Sequence, residues 1–126
     1  MSKSEVHKLF QEWNNALQSK KTDQVLTLYA KEAILLPTLS PKVRHNHKEI
    51  GDYFDFFLSL SPSAEMKEEN IRIFGDMAVN SGIYVFSVTQ NAEIVEIPVR
   101  FTFVYKKFDS NWLIVEHHSS ALPKVQ

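Results

Sequence analysis

The hydrophobic pattern changes its period near residue 62, and this change limits the folds available to the chain. Before this point apolar residues recur every three to four positions, which is typical of helices with one buried face. After it apolar and polar residues alternate, which predicts strands at about 66–74, 77–89, 93–107 and 112–119. Helices followed by a run of strands indicate an α+β fold in which helices cover one face of a curved antiparallel sheet.

Three helices are predicted before these strands. The first begins after Ser2 or Ser4, the second after Thr22 and the third after Asn46, because each of these side chains can accept a hydrogen bond from a free backbone N–H group. A short apolar segment, 33–36, precedes the third helix and is expected to form an edge strand. The sheet is therefore expected to consist of a four-stranded meander with one extra edge strand.

Composition excludes several classes of function. Residues 1–126 are expected to form one domain, because this length supports one core and no linker-like segment interrupts it. Fourteen Lys+Arg against 15 Asp+Glu, scattered along the chain, leave no basic stripe, so nucleic acid is not an expected partner. No segment approaches the roughly 18 apolar residues of a membrane span, so no membrane association is expected. The absence of cysteine and a polar N-terminal segment fit a cytoplasmic location.

The last two strands are expected to line the inside of the sheet with apolar side chains. The inward face of one strand carries Ile97, Val99, Phe101, Phe103 and Tyr105. The matching face of the other carries Leu113, Val115, His117 and Ser119. Bringing these two faces together requires a hairpin loop of odd length, most simply three residues.

The opposite face of the sheet is expected to be covered by a partner. Its apolar residues are Tyr84, Phe86, Val104 and Trp112, although Tyr84 could instead point inward. A second copy of the chain is the expected cover, which predicts a homodimer. On the same face Arg100 lies near His118 and Glu116 and is expected to form a cross-strand ion pair, or alternatively to serve an interface or a ligand.

His117 is the candidate catalytic residue. An imidazole beside aromatic rings has its charged form disfavoured, so it could act as a general base near neutral pH. The alternative is a hydrogen-bonded core histidine, because no group that orients the base or stabilises a developing negative charge is evident. Tyr53 or Tyr84 could supply a phenolic hydrogen-bond donor, or could be ordinary core aromatics.

The loop before the third helix carries Arg44, His45 and His47. These residues could rim a pocket and attract an anion, or could form an exposed polar loop. A metal site is not expected, because His117 and His118 are successive strand residues and point to opposite faces. The three glycines are far apart, so no nucleotide cofactor is implied, and no other cofactor is expected.

An ordered set of short segments matches a known family. The segments are Tyr29-Ala30, 33–38, Arg44, Ile50 with Tyr53-Phe54, 100–105, 112–115, and 117–120 with Pro123. They resemble the association domain of calcium/calmodulin-dependent protein kinase II and its free-standing bacterial relatives, called SnoaL-like or SgcJ/EcaC-type proteins, over residues 5–123. The resemblance implies the cone-shaped fold of the nuclear transport factor 2-like superfamily, in which three N-terminal helices and a curved antiparallel sheet enclose a pocket. It also implies dimerisation through the sheet.

The resemblance implies a different pocket chemistry from that of the kinase domain. There a helix histidine and strand arginines form a cationic pocket, whereas the corresponding positions here are assigned to Phe54, Val85, Phe103 and Ser119. Binding of a small carboxylate in the same manner is therefore not expected. The residues expected to line a pocket are Trp13, Arg44, Tyr53, Phe57, Phe101, Phe103 and Ser119.

Three functions remain open at this stage. The first is a homodimeric binder of a small, mostly apolar molecule, which the phenylalanine-rich inner faces support. The second is a cofactor-free isomerase, dehydratase or cyclase that uses His117 as general base. The third is an oligomeric interaction domain whose aromatics fill the cone. An open cavity beside His117 would separate the first two from the third.

Overall fold

The computed structural model describes residues 1–124 and shows the predicted order of helices and strands. The helices are α1 (Lys3–Ser19), α2 (Thr22–Leu26) and α3 (His47–Phe57), and a 3-10 turn follows at Leu58–Leu60. The strands are β1 (Tyr29–Leu36), β2 (Ser63–Phe74), β3 (Met77–Gln90), β4 (Glu93–Phe108) and β5 (Asn111–Ala121). Within residues 1–124 no helix has the length and apolarity needed to cross a bilayer.

The helix starts follow local side-chain chemistry in two of three cases. Ser2 accepts a hydrogen bond from the Glu5 backbone N–H, and the Glu5 carboxylate accepts one from the Ser2 N–H, so both ends of this capping box are formed. Asn46 similarly accepts from the Glu49 N–H at the start of α3. The predicted cap at Thr22 is wrong, because Thr22 is already the first residue of α2 and no side chain caps that helix.

The five strands form one sheet in the order β1-β5-β4-β3-β2. Strands β2 to β5 form the predicted antiparallel meander, and β1 lies at the edge, where it pairs in parallel with β5. Turns at Gly75-Asp76 and Asn91-Ala92 connect the first two hairpins. Gly75, Asn91 and Ala92 have positive φ, the conformation that tight hairpin turns require. The predicted α+β fold is therefore confirmed.

The last hairpin differs from the prediction. Phe108 pairs with Asn111, so the loop has two residues rather than three. The register is corrected inside β5 instead, because Ile114 pairs with Tyr105 and Glu116 with Val104, which leaves the intervening Val115 as a bulge.

The bulge changes which side chains of β5 point inward. Ile114 and His117 are both buried, although they are three residues apart, and Ser119 is buried on the same face. Leu113 and Val115, which were predicted to be the inward residues before His117, are only half-buried. Strict alternation fails here because one residue of β5 has no partner in β4.

The inner face also differs from the prediction on β3. Tyr84 and Phe86 are buried, and they pair with Val99 and Ile97 of the inward face of β4. The predicted outer position of Phe86 is therefore wrong, and of the two alternatives for Tyr84 the structure shows the inward one. Val85 between them points outward rather than to a pocket position.

Trp112 and Val104 were both expected on the outer face. Trp112 packs against the core, so its predicted position is wrong. Val104 does lie on the outer face, between the buried Phe103 and Tyr105.

Candidate functional site

The inside of the cone is centred on His117. This side chain is 2% exposed. Its ring stacks on Phe103 at 4.0 Å between centroids and 17° between planes, and the Trp13 ring meets it edge-on at 5.3 Å. Trp13, Phe103 and His117 were all predicted to lie on the pocket wall, and the structure brings them together as packed neighbours.

Both nitrogens of His117 have hydrogen-bond partners. The Tyr29 hydroxyl lies 2.8 Å from Nδ1, and the Tyr84 hydroxyl lies 3.2 Å from Nε2. Trp13 donates its indole N–H to the Tyr29 hydroxyl oxygen at 3.1 Å. Of the two tyrosines, Tyr84 was named in advance as a phenolic donor and Tyr29 was not, because β1 and β5 are distant in sequence and their pairing had no local signal.

The direction of these hydrogen bonds follows from the indole, which can donate but not accept. Because Tyr29 accepts from Trp13, its own proton needs an acceptor, and Nδ1 of His117 is the one within reach. The ring proton of neutral His117 then lies on Nε2 and is donated to Tyr84. With this assignment the buried hydroxyl proton of Tyr29 has a hydrogen-bond acceptor.

The chain of polar groups continues towards the surface. The Ser119 hydroxyl lies close enough to Tyr84 to lower the pKa of that phenol, against the larger raising effect of burial. Ser119 is itself 2.5 Å from the Thr38 hydroxyl, at the end of β1. We call the series Trp13, Tyr29, His117, Tyr84, Ser119 and Thr38 the interior chain.

Burial keeps the interior chain uncharged. It lowers the pKa of His117 to about 3, and the neighbouring His118 adds a smaller effect in the same direction. Burial likewise raises the pKa of Tyr29 and of Tyr84 well above the ordinary range of phenols. The charged imidazole is therefore disfavoured, as expected for a ring among aromatics.

This environment gives little support to a general base at position 117. A base is most effective when its pKa lies near the working pH, and a pKa of about 3 is far below neutrality. Both ring nitrogens are also engaged with tyrosine hydroxyls. The geometry is that of a hydrogen-bonded core histidine, and the catalytic role stays a prediction.

The remaining predicted wall residues pack against other aromatic rings. Phe101 stacks on Tyr84 at 4.7 Å, and Phe57 meets Phe86 edge-on at 5.0 Å and stacks on Tyr53 at 5.5 Å. All five side chains are buried. The aromatic residues expected to line a pocket thus fill the inside of the cone around His117.

Arg44 has a structural position in the loop before α3. Its guanidinium donates to the Glu49 carbonyl and to the Ser40 hydroxyl, and it lies 5.6 Å from the centre of the Tyr53 ring. Burial raises the pKa of Tyr53 to about 12, although the positive charge of Arg44 acts in the opposite direction.

The two histidines beside Arg44 have separate partners. His45 bonds the Glu49 carboxylate at 2.8 Å, whereas His47 donates to the Tyr29 carbonyl at 2.8 Å. Across residues 1–124, no three His, Cys, Asp or Glu side chains gather in a way that could hold a metal ion.

The predicted ion pair of Arg100 is wrong. Arg100 lies opposite Ser120, whereas His118 lies opposite Thr102 and Glu116 opposite Val104. Among residues 1–124 the salt bridges involve other side chains, and Arg100 remains exposed on the outer face.

A second site, which the sequence did not indicate, lies where β1 ends beside β5. The loop after β1 and the end of β5 enclose a cleft of about 180 Å³, which we call the strand-end cleft. It is lined by Leu36, Pro37, Thr38, Ser40, Pro41, Lys42, Val43, His118, Ser119, Ser120 and Ala121. The parallel pairing of Leu36 with His118 brings these segments together, and no local pattern predicts that pairing.

The cone of helices and curved sheet, packed around an aromatic interior, has the nuclear transport factor 2-like fold. The same fold occurs in a superfamily member from Salmonella enterica, with a TM-score of 0.85 and 16% identity over 98% of this chain and 92% of that one. A Streptomyces avermitilis protein, provisionally assigned as a dehydratase of this family, has a TM-score of 0.82 and 12% identity over 94% and 95% of the two chains.

The chain belongs to the calcium/calmodulin-dependent protein kinase II association domain family, whose model matches residues 2–123. A Xanthomonas campestris protein, provisionally assigned as such an association domain, is 41% identical over 96% of this chain and 88% of that one, with a TM-score of 0.93. No curated protein matches the sequence. The resemblance seen in the sequence is therefore confirmed at the level of family and fold.

Proposed function

We propose that this protein is a self-associating domain that forms a homodimer through the outer face of its sheet. The family to which it belongs is named for association, which supports an oligomeric role. The observation that carries the proposal is an apolar patch on the side of the sheet that no helix covers.

The outer patch lies on the two central strands, β3 and β4. It consists of Val79, Ile83, Val85, Pro98 and Val104. Val79 lies directly opposite Val104, and Val85 lies directly opposite Pro98, so each of these pairs is apolar on both strands. Between them Ser81 faces Thr102 and Ile83 faces Arg100, so the middle of the patch is partly polar. None of the five belongs to the core or packs against it.

A second copy of the chain is a fitting cover for this patch. Apolar side chains gathered on one open face of a sheet commonly mark a protein interface. In a twofold dimer the same patch serves both subunits, so it meets an identical apolar surface. Stable interfaces bury about 800 Å² on each partner, an area that a face of two long strands and their neighbours can supply.

The packed interior favours association over ligand binding. The predicted binding of a small, mostly apolar molecule needs open space beside His117, but the residues expected to line that space contact one another. That binding role, like the isomerase, dehydratase or cyclase role, stays a prediction.

The test is the mass of the protein in solution before and after a charge is placed in the patch. We expect a dimer by sedimentation equilibrium, and we expect Val104→Glu to yield monomers, because the twofold axis brings two buried carboxylates into one interface. Thr89→Glu is the matched control, since Thr89 is exposed on β3 outside the patch. A wild-type monomer, or a dimer that Val104→Glu leaves intact, would contradict the proposal.

A further inference from the structure

We propose that the strand-end cleft binds a small oxyanion, either a carboxylate or a phosphate. This site lies outside the aromatic interior, at the ends of β1 and β5. Its volume of about 180 Å³ suits a group of a few heavy atoms. The argument rests on the charges that line the cleft and on the direction of the hydrogen bonds that reach it.

The charged lining of the cleft is cationic. Lys42 supplies the positive charge, the His118 imidazole lies beside it in the lining, and no aspartate or glutamate lines the cleft. Neither residue takes part in a salt bridge within residues 1–124. Because the whole chain carries a formal charge of -1, this positive lining is a local feature and not a consequence of overall charge.

Ser40 presents a donor to the cleft. Its hydroxyl oxygen already accepts two hydrogen bonds, from an Arg44 Nη2 group at 2.9 Å and from the Lys42 backbone N–H at 3.2 Å. A hydroxyl has two acceptor lone pairs and one proton, so the remaining capacity of Ser40 is its O–H donor. The bond from Arg44 also polarises this hydroxyl towards donation.

Thr38 contributes a second hydroxyl to the lining of the cleft. Its oxygen lies 2.5 Å from the Ser119 hydroxyl, and either group can be the donor in this contact. Each hydroxyl carries one proton, so this pair retains one further hydroxyl proton beyond the one shared between them.

A neighbouring depression extends the positive lining. It shares His118 and Ser120 with the strand-end cleft, and it adds Arg100 and Thr102 on the outer face. No acidic residue lines this depression either. An acceptor group in the cleft would therefore lie near hydroxyl groups and the ammonium group of Lys42, with Arg100 in the neighbouring depression, and such groups favour oxyanions.

The first experiment compares acetate, acetamide and inorganic phosphate by NMR titration of the backbone amides at constant ionic strength. We expect acetate or phosphate to shift the amides of residues 38–42 and 118–120 in a saturable way. Acetamide has nearly the same shape without the charge and is expected to leave them unchanged. Whichever of acetate and phosphate saturates the shifts at the lower concentration shows whether the cleft prefers a carboxylate or a phosphate. Equal shifts with acetamide, or no saturable shift with either anion, would overturn the proposal.

Variants locate the site. Lys42→Gln is expected to weaken binding about tenfold, the loss that follows removal of one charge-assisted hydrogen bond. His118→Ala is expected to weaken binding less, by removing the imidazole from the lining. Thr38→Val keeps the shape of the side chain and should weaken binding by removing the donor. Lys107→Gln is the matched control and should leave affinity unchanged, since Lys107 is exposed outside both depressions. Affinities that are equal in all four variants would overturn the assignment of the site.

The strand-end cleft itself does not depend on self-association, because all its lining residues come from one chain. Arg100 and Thr102 of the neighbouring depression lie on the outer face, between Pro98 and Val104 of the proposed interface. The same titration of Val104→Glu should therefore show the same shifts for the amides of residues 38–42. Loss of the dimer with retained binding would separate the two proposals, and retained dimerisation without saturable anion binding would overturn this one alone.

Discussion

His117 and His118 are adjacent on β5, yet their surroundings are opposite. His117 is enclosed by Trp13 and Phe103 and has both nitrogens bonded, whereas His118 is exposed and lines a cleft. The same chemical group is therefore held neutral in one position and open to solvent in the next. A single step along a strand changes burial and hydrogen bonding together.

The largest effect on the free energy of unfolding is expected from Trp13→Ala, which removes a large side chain from the packing around His117. The indole packs on Phe103, Tyr84 and His117 at centroid distances of 5.2–5.6 Å and supplies the first donor of the interior chain. We expect a loss of about 3–5 kcal/mol in the free energy of unfolding, measured with urea. Trp112→Ala is the control, because Trp112 is only half-buried. Equal losses in the two variants would show that the interior is not tightly packed.

A smaller effect is expected from removing single hydroxyls. Tyr29→Phe removes the two shorter contacts, to Trp13 at 3.1 Å and to His117 at 2.8 Å, whereas Tyr84→Phe removes the longer contact to His117 at 3.2 Å and the contact to Ser119. A buried polar group left unpaired costs about 1–3 kcal/mol, so Tyr29→Phe should be the more destabilising of the two. His118→Ala should change stability by less than about 0.5 kcal/mol. The reverse order of the tyrosine variants would refute the assigned hydrogen-bond directions.

The smallest effect on the free energy of unfolding is expected from lowering the pH. Burial lowers the pKa of His117 from 6.5 to about 3, so the unfolded chain binds a proton in a range where the folded chain does not. Stability is therefore full above pH 6.5 and falls as the pH drops towards 3, by about 1 kcal/mol between pH 7 and pH 5.5. Urea midpoints measured at these two pH values test the slope. His118→Gln should retain this contribution and His117→Gln should lose it, and an identical slope in both variants would be inconsistent with a neutral buried His117.

The order of elements could be predicted from the sequence because local chemistry determines it. Ser2 and Asn46 cap their helices through neighbours three residues away, and Gly75 and Asn91 are residue types that suit the positive φ of their turns. The alternation of apolar and polar residues along the last two strands also predicted that His117 points inward and lies beside Phe103.

Other features depended on non-local pairing and could not be predicted in this way. The residues opposite β3 decide which of its faces is inward, so Phe86 was assigned to the wrong face and Tyr84 was left between two alternatives. Tyr29 reaches His117 across 88 positions of sequence, and the strand-end cleft exists because β1 pairs in parallel with β5. Alternation describes one strand, whereas these sites require knowledge of which strands are neighbours.

The bulge at Val115 also bears on how this strand can change in length. Val115 has no partner, and the pairs on both sides of it, Ile114 with Tyr105 and Glu116 with Val104, are already formed. Deleting this one residue would leave every later pair of β5 in place. Deleting a residue within 116–118 would instead shift the rest of the strand by one position. Val115 is thus a position of the hairpin at which one residue can be deleted while His117 still faces inward and His118 still faces outward.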